Sequence, residues 1–243
     1  MYAEQKQTSG TILELKDIIM LKNKRLTIIL LMTFCSFLAK GQDREIMLGL
    51  RAGHNASFGG FTAVSIETAQ TIGNSFQING GIQYNTIGKT SIEARPSYVH
   101  ELSWGRISAE ILLNYSNLST VNNISAGAGI GLSGKWIGGK LGYYYRLFGN
   151  SGNMVNEPFN IYYEFYGNLL PETEDWDLQI GITNNEIFEL ERHYQPSFIA
   201  KCSYYPAQNI GVSLSAGCKP AGMFHLSADY YQSHVKIGVC YRW

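Results

Sequence analysis

From Gln42 to Trp243, apolar and polar residues alternate in run after run. A two-residue period places successive side chains on opposite faces, which suits strands and not helices. In SFQINGGIQYN, Phe76, Ile78, Ile82 and Tyr84 share one face, and Gln77, Asn79, Gln83 and Asn85 the other. RISAEILLNY sets Ile107, Ala109, Ile111, Leu113 and Tyr115 against Arg106, Ser108, Glu110 and Asn114. SAGAGIGLS, DWDLQIGIT and NIGVSLSAGC repeat the pattern. Turn-forming breaks separate the runs: TIGNS, FGNSGN, LLPETED, YPAQN and CKPAG. The one short stretch with helical character is NNEIFELERHY, over 184–194.

Alternation alone does not say which face meets water, because a soluble β-sandwich alternates too. Three observations favour apolar side chains facing lipid. The polar face is rich in glycine, serine, asparagine and charges of both signs, as a hydrated or hydrogen-bonded lumen is. Aromatic residues collect near run ends: Tyr84, Tyr98, Trp104, Tyr115, Trp136, Trp176, Tyr204, Tyr230, Tyr241 and Trp243. Amphipathic rings at strand ends are what a membrane interface selects. Nearly the whole chain beyond residue 41 consists of such runs, and a closed barrel is the only β architecture that leaves no unpaired edge in lipid. Charged residues are 16%, against about a quarter in soluble domains. The predicted fold is all-β: a closed, antiparallel, up-and-down transmembrane barrel over 42–243. At roughly 9–11 residues per spanning strand it has about 12 strands, with 10 to 14 allowed. Segmentation gives an odd number of runs, which is unusual in bacterial barrels, so one run is misdivided. Counting strands back from the C-terminus puts the longer breaks, near Ser151 and Glu189, on the periplasmic side, against the usual rule.

The first 41 residues differ from the rest. Lys22, Lys24 and Arg25 precede an apolar stretch from Leu26 to Leu38, followed by Ala39-Lys40-Gly41. A basic front, a short apolar core and small residues make a secretory signal. The stretch is too short to span a bilayer, which takes about 20 residues. Cleavage is expected after Gly41. A signal normally begins at its basic front, so Met20 is the expected start and residues 1–19 a mis-assigned extension.

The C-terminal stretch HVKIGVCYRW continues the alternation to its final side chain. Val235, Ile237, Val239, Tyr241 and Trp243 lie on one face. Together with the signal and the alternating strands, this ending resembles the outer-membrane β-barrel proteins of Gram-negative envelopes. The resemblance is to the class and not to a particular family. It implies that these five residues are the signal read by the barrel-assembly machinery, and that outer-membrane lipid surrounds the mature chain. Taking Gln232-Ser233 as a two-residue turn pairs Phe224 with Tyr241, Leu226 with Val239, Ala228 with Ile237 and Tyr230 with Val235, and sets Asp229 opposite Lys236. That register keeps the two faces apart.

Evidence for chemistry is thin. The best constellation is His225, Ser227 and Asp229 in HLSAD. Same-face neighbours on a strand stand roughly 6.5–7 Å apart, long for a nucleophile and its base. His-x-Ser is similar to the active-site pair of the outer-membrane lipid A deacylases, but Ala228 stands where that family has Asn. The final strand also lacks a carboxylate, so no catalytic residue is assigned. His54, His100, His193, His225 and His234 show no metal-ligand spacing, and no metal or other cofactor is expected. Gly127, Gly129 and Gly131 alternate on a strand and do not open a helix, so they form no phosphate cradle. Instead they thin one wall, with Tyr144 or Arg146 as bulky fillers of the space opposite. Cys202, Cys218 and Cys240 are an odd number and read as small strand residues. A formal net charge of zero gives no sign of nucleic acid.

What remains is the lumen. Its expected lining is Arg106, Glu110, Lys140, Arg146, Glu164, Asp177, Asp229, Lys236 and Arg242. A strongly selective pore carries a ring of one sign, and this set is mixed. The first reading is a small, weakly selective channel for small polar solutes, or a structural barrel. An accessory barrel of an envelope or secretion machine comes second, and a lipid A-modifying hydrolase third.

Overall fold

The computed structural model describes residues 43–150, 152–173, 175–190, 196–220 and 230–243. Residues 1–41, the expected signal, lie outside the described residues, and so do His225, Ser227 and Asp229. The strands are β1 Asp43–Asn55, β2 Gly59–Ile72, β3 Phe76–Asn85, β4 Lys89–Leu102, β5 Gly105–Leu118, β6 Val121–Gly134 and β7 Ile137–Asn150. They continue with β8 Asn153–Asn168, β9 Trp176–Thr183, β10 Asn185–Glu186, β11 Glu189–Leu190, β12 Ser197–Ala207, β13 Ile210–Pro220 and β14 Tyr230–Arg242. Twelve of them close into one antiparallel barrel in which each strand pairs with its chain neighbours and β1 meets β14. The other two, β10 and β11, form a separate hairpin.

Alternation has become inside and outside. On β1, Leu50 is 58% exposed on the outer face, and the next residue, Arg51, is 4% exposed within the barrel. Among the described strand residues, Arg44 is the only Asp, Glu, Lys or Arg at an outward register position, and it sits at the end of β1. Lys or Arg on the lipid face at mid-membrane costs about 2–4 kcal/mol, which accounts for the gap. Closure satisfies the backbone up to the C-terminus: Arg44 N donates to Trp243 O at 3.2 Å, and Trp243 N to Arg44 O at 3.1 Å.

Tight turns join most strands. After β3, Gly88 takes φ 82, its N–H donates to Asn85 O at 3.0 Å, and Lys89 N donates to Asn85 Oδ1 at 2.8 Å. Only glycine adopts that backbone conformation without cost. All four tryptophans lie at the end that carries the termini: Trp104 and Trp136 in turns, Trp176 opening β9, and Trp243. Trp176 stacks on Tyr204 with centroids 4.4 Å apart, and Trp243 on Tyr241 at 5.6 Å.

Three sequence expectations need correction. Gln232 and Ser233 are not a turn. They lie within β14 and pair with Asn55 and His54 on β1, and with Lys219 and Cys218 on β13. Lys236 accordingly stands beside Arg51 and Ser215, not opposite Asp229. Period two fixes which face a residue takes but not which neighbour it meets, so a shift by whole strands preserves every face. Val235, Ile237, Val239 and Tyr241 remain outward under either pairing. Second, the misplaced turn created the surplus run. With twelve barrel strands, the breaks near Ser151 and Glu189 fall at the end opposite the termini, while the seven-residue break 169–175 falls at the end that carries them. Third, the described part of the helical stretch, 184–190, is not helix: it holds β10, a turn at Ile187-Phe188, and β11.

Candidate functional site

The β10–β11 hairpin lies inside the barrel. At Thr183 the chain leaves the wall, and Asn184 covers the wall edge it leaves behind. Asn184 Nδ2 donates to Ile161 O at 2.8 Å, and its Oδ1 accepts from Tyr163 N at 2.7 Å. This side chain replaces a strand partner for β8. Beyond it the hairpin turns at Phe188, which has φ 68, a region a bulky residue seldom occupies. Its surroundings hold it there. Phe188 N donates to Glu93 Oε2 at 3.0 Å, and its ring is 2% exposed against Gly81, where a Cβ would sit 2.9 Å from Phe188 Cζ.

Charge fixes the hairpin to walls on several sides. Glu189 accepts from Arg51 at 2.9 Å, Lys219 at 2.7 Å and Gln232 at 3.0 Å. Glu186 meets Arg51 at 3.2 Å and His234 Nε2 at 3.4 Å. Arg51 Nη2 also lies 2.8 Å from His234 Nδ1. A guanidinium only donates, so Nδ1 accepts and the imidazole proton sits on Nε2, towards Glu186. Arg95 Nη2 donates to Asn185 O at 3.4 Å and its Nε to Glu93, which also accepts from Asn114 at 2.9 Å. Burial alone would push the Glu189 carboxyl up. Arg51, then Lys219 and Lys89, outweigh that and hold it well below the ordinary carboxylate range.

A second obstruction stands on the opposite wall. Gly127, Gly129 and Gly131 face inward, and the room they leave is filled. Leu112, Tyr144 and Tyr162 are fully buried together there. A Cβ on Gly127 would sit 2.7 Å from Tyr144 Cβ, and one on Gly129 2.7 Å from Tyr162 Cζ. The Tyr162 hydroxyl donates to Glu110 Oε1 at 3.1 Å, and Lys140 donates to Glu110 Oε2 at 2.9 Å. Of the two fillers the sequence suggested, Tyr144 packs at this wall. Arg146 instead reaches Asn123 Oδ1 at 2.9 Å and Glu157 at 3.7 Å.

The remaining lining residues are also paired. Glu164 lies 3.7 Å from Lys201, and Lys236 bonds Glu67, which Ser65 also reaches at 2.7 Å. At the terminal end Arg106 meets Glu101 at 2.8 Å, Arg242 meets Glu45, and Asp177 accepts from Gln179 at 3.2 Å. Asp229 lies outside the described residues. Arg51, Glu67, Glu93, Arg95, Glu186, Glu189, Lys201, Lys219 and His234 were missed. Four of them, in LRAG, SIETA and SIEARP, occupy polar alternation positions, so the rule that found Glu110 and Lys140 also finds them. Glu186 and Glu189 lay in the stretch misread as helix.

Hairpin and wall divide the interior. A cavity of about 240 Å³ lies on one side of the hairpin, lined by Arg51, Glu67, Asn185, Glu186, Phe188, Lys201 and Lys236. One of about 260 Å³ lies on the other, lined by Asn85, Lys89, Asn114, Arg146, Phe188 and Glu189. A third, of about 140 Å³, adjoins Arg106, Glu110, Lys140 and Tyr166.

Several solved structures share this build. The NanC porin aligns with TM-score 0.54 at 12% identity, over 80% of this chain and 98% of its own. The translocator domain of the autotransporter NalP from Neisseria meningitidis aligns with TM-score 0.53 at 12% identity, over 84% and 89%. An outer-membrane channel from Pseudomonas putida F1 gives TM-score 0.53 at 8% identity, over 84% and 96%. The fold is that of the outer-membrane β-barrels. No protein-family model matches the chain, and no curated protein matches it. At such identities the likeness extends to the fold alone.

Proposed function

We propose that this barrel is a narrow, weakly selective channel for small polar solutes in the outer membrane of a Gram-negative bacterium. A signal within residues 1–41 exports it and is cleaved. The observation that carries the reading is the divided lumen: small cavities lined by charged and polar residues on both sides of an ion-paired hairpin, with both charge signs present in pairs. Paired charges focus no net field, so they favour neither cations nor anions strongly. In planar bilayers at neutral pH the purified barrel gives small, reproducible current steps, with a reversal potential near zero across a potassium chloride gradient. Large steps, or a strongly shifted reversal potential, overturn this reading. A silent bilayer from a folded, heat-modifiable barrel favours a structural barrel, which the packing of Leu112, Tyr144 and Tyr162 also supports.

In this reading Val235, Ile237, Val239, Tyr241 and Trp243 form the surface that the assembly machinery reads. Deleting Trp243 removes its stacking on Tyr241 and both hydrogen bonds to Arg44. Most of that variant fails to appear as folded barrel in the outer-membrane fraction, while the purified chain still refolds in detergent. Equal failure in detergent would make Trp243 a stability residue and not a recognition residue.

A further inference from the structure

We propose that the 240 Å³ cavity beside the hairpin binds one neutral, polyhydroxylated solute of monosaccharide size. This deepens the channel reading and rests on it. Size sets the first limit: pockets for drug-sized ligands start at about 300 Å³, so this one takes a single small ring and not a chain of them. Charge sets the second. Lys236 is paired to Glu67, Lys201 to Glu164 and Arg51 to Glu186, so a charged solute would have to displace an existing partner. What the cavity offers without such competition is neutral hydrogen bonding. Asn185 lines it and is 3% exposed, and among the described residues its Nδ2 and Oδ1 have no partner. Glu186 Oε1, the second oxygen of the carboxylate that Arg51 already neutralises, is likewise buried without a partner among the described residues and can accept from a hydroxyl. A buried amide left unpaired is destabilising, and a ligand that both donates and accepts removes that cost. Ser203 and Ser215 add hydroxyls from β12 and β13, and Phe188 adds an apolar surface for the C–H face of a ring.

A channel site must also release its solute, so binding is weak. Calorimetry of the full-length protein in detergent, titrated with D-glucose, is expected to give a dissociation constant on the order of 1 mM. Asn185→Leu weakens it at least about tenfold. Arg106→Gln, in the separate 140 Å³ cavity, leaves it unchanged. Glucuronate and lysine bind no tighter than glucose. The site is overturned if a heat-modifiable, folded barrel shows no saturable glucose binding, if Asn185→Leu binds as well as the unaltered chain, or if glucuronate or lysine binds more tightly. The measurement needs no current, so it separates the two readings. A conducting barrel that ignores glucose loses the site and keeps the channel. A silent barrel that binds glucose keeps the site and loses the channel.

Discussion

Replacing Asn185–Glu189 by a short glycine linker raises the unitary conductance several-fold while the barrel stays folded. The hairpin separates cavities of about 240 and 260 Å³, and its removal joins them. The wall survives because backbone ladders hold it, and β10 and β11 belong to none of them. Asn184 remains in the variant and still covers the Ile161–Tyr163 edge. Bilayer recordings read the current, and the gel shift between unheated and boiled samples reads the fold. An unchanged current from a folded barrel would mean that ions do not pass the hairpin. Glu189→Gln is the milder form of the same test, since it removes the charge on which Arg51 and Lys219 converge. Acid should imitate it late. The folded carboxyl of Glu189 is held well below its ordinary value, by Arg51 and Lys219 working against burial. Its stabilising contribution is therefore present above the unfolded value of about 4.3 and is lost as pH falls through the lower folded one. Conductance stays flat from neutral down to about pH 5 and rises only below the ordinary carboxylate range. In Glu189→Gln that acid step is absent.

The barrel was legible in the sequence because lipid enforces a simple rule. A charge on the outer face is costly at every depth away from the interface, so period two is kept strand after strand. That rule has no memory of partners. It assigned Val235, Ile237 and Val239 to the correct face while Gln232-Ser233 was taken for a turn, and only the β13 and β1 registers expose the error. The hairpin was illegible for a different reason. Its residues answer to the lumen and not to lipid, so Ile187 and Phe188 follow no alternation. Phe188 keeps φ 68 only because Glu93 and the notch at Gly81 lie beside it, on strands far away in sequence. The glycine wall falls between the two cases. Its thinness was readable from Gly127, Gly129 and Gly131. Tyr144 was readable as its filler, but Tyr162 comes from β8, and no local pattern points to it.

That partnership gives a test with a definite sign. Gly129→Ala and Tyr162→Ala each destabilise the barrel, and the double variant loses less than the two losses added. A Cβ on Gly129 would lie 2.7 Å from Tyr162 Cζ, and the ring is fully buried. Overpacking of this kind typically costs about 1–3 kcal/mol. Removing the Tyr162 ring leaves a void beside Leu112 and Tyr144, and deletions of a buried aromatic cost about 3–5 kcal/mol. With both changes the new methyl occupies part of that void, so the overlap with Tyr162 vanishes. Crowding against Leu141 O, at 2.8 Å from the added Cβ, remains and keeps the rescue partial. For groups in contact the coupling is about 0.5–3 kcal/mol, readable from urea unfolding of the four proteins in detergent. Strictly additive losses would mean that the Tyr162 ring already moves aside at no cost. The glycines would then be there for the approach of β7 to β6, and not to seat the ring.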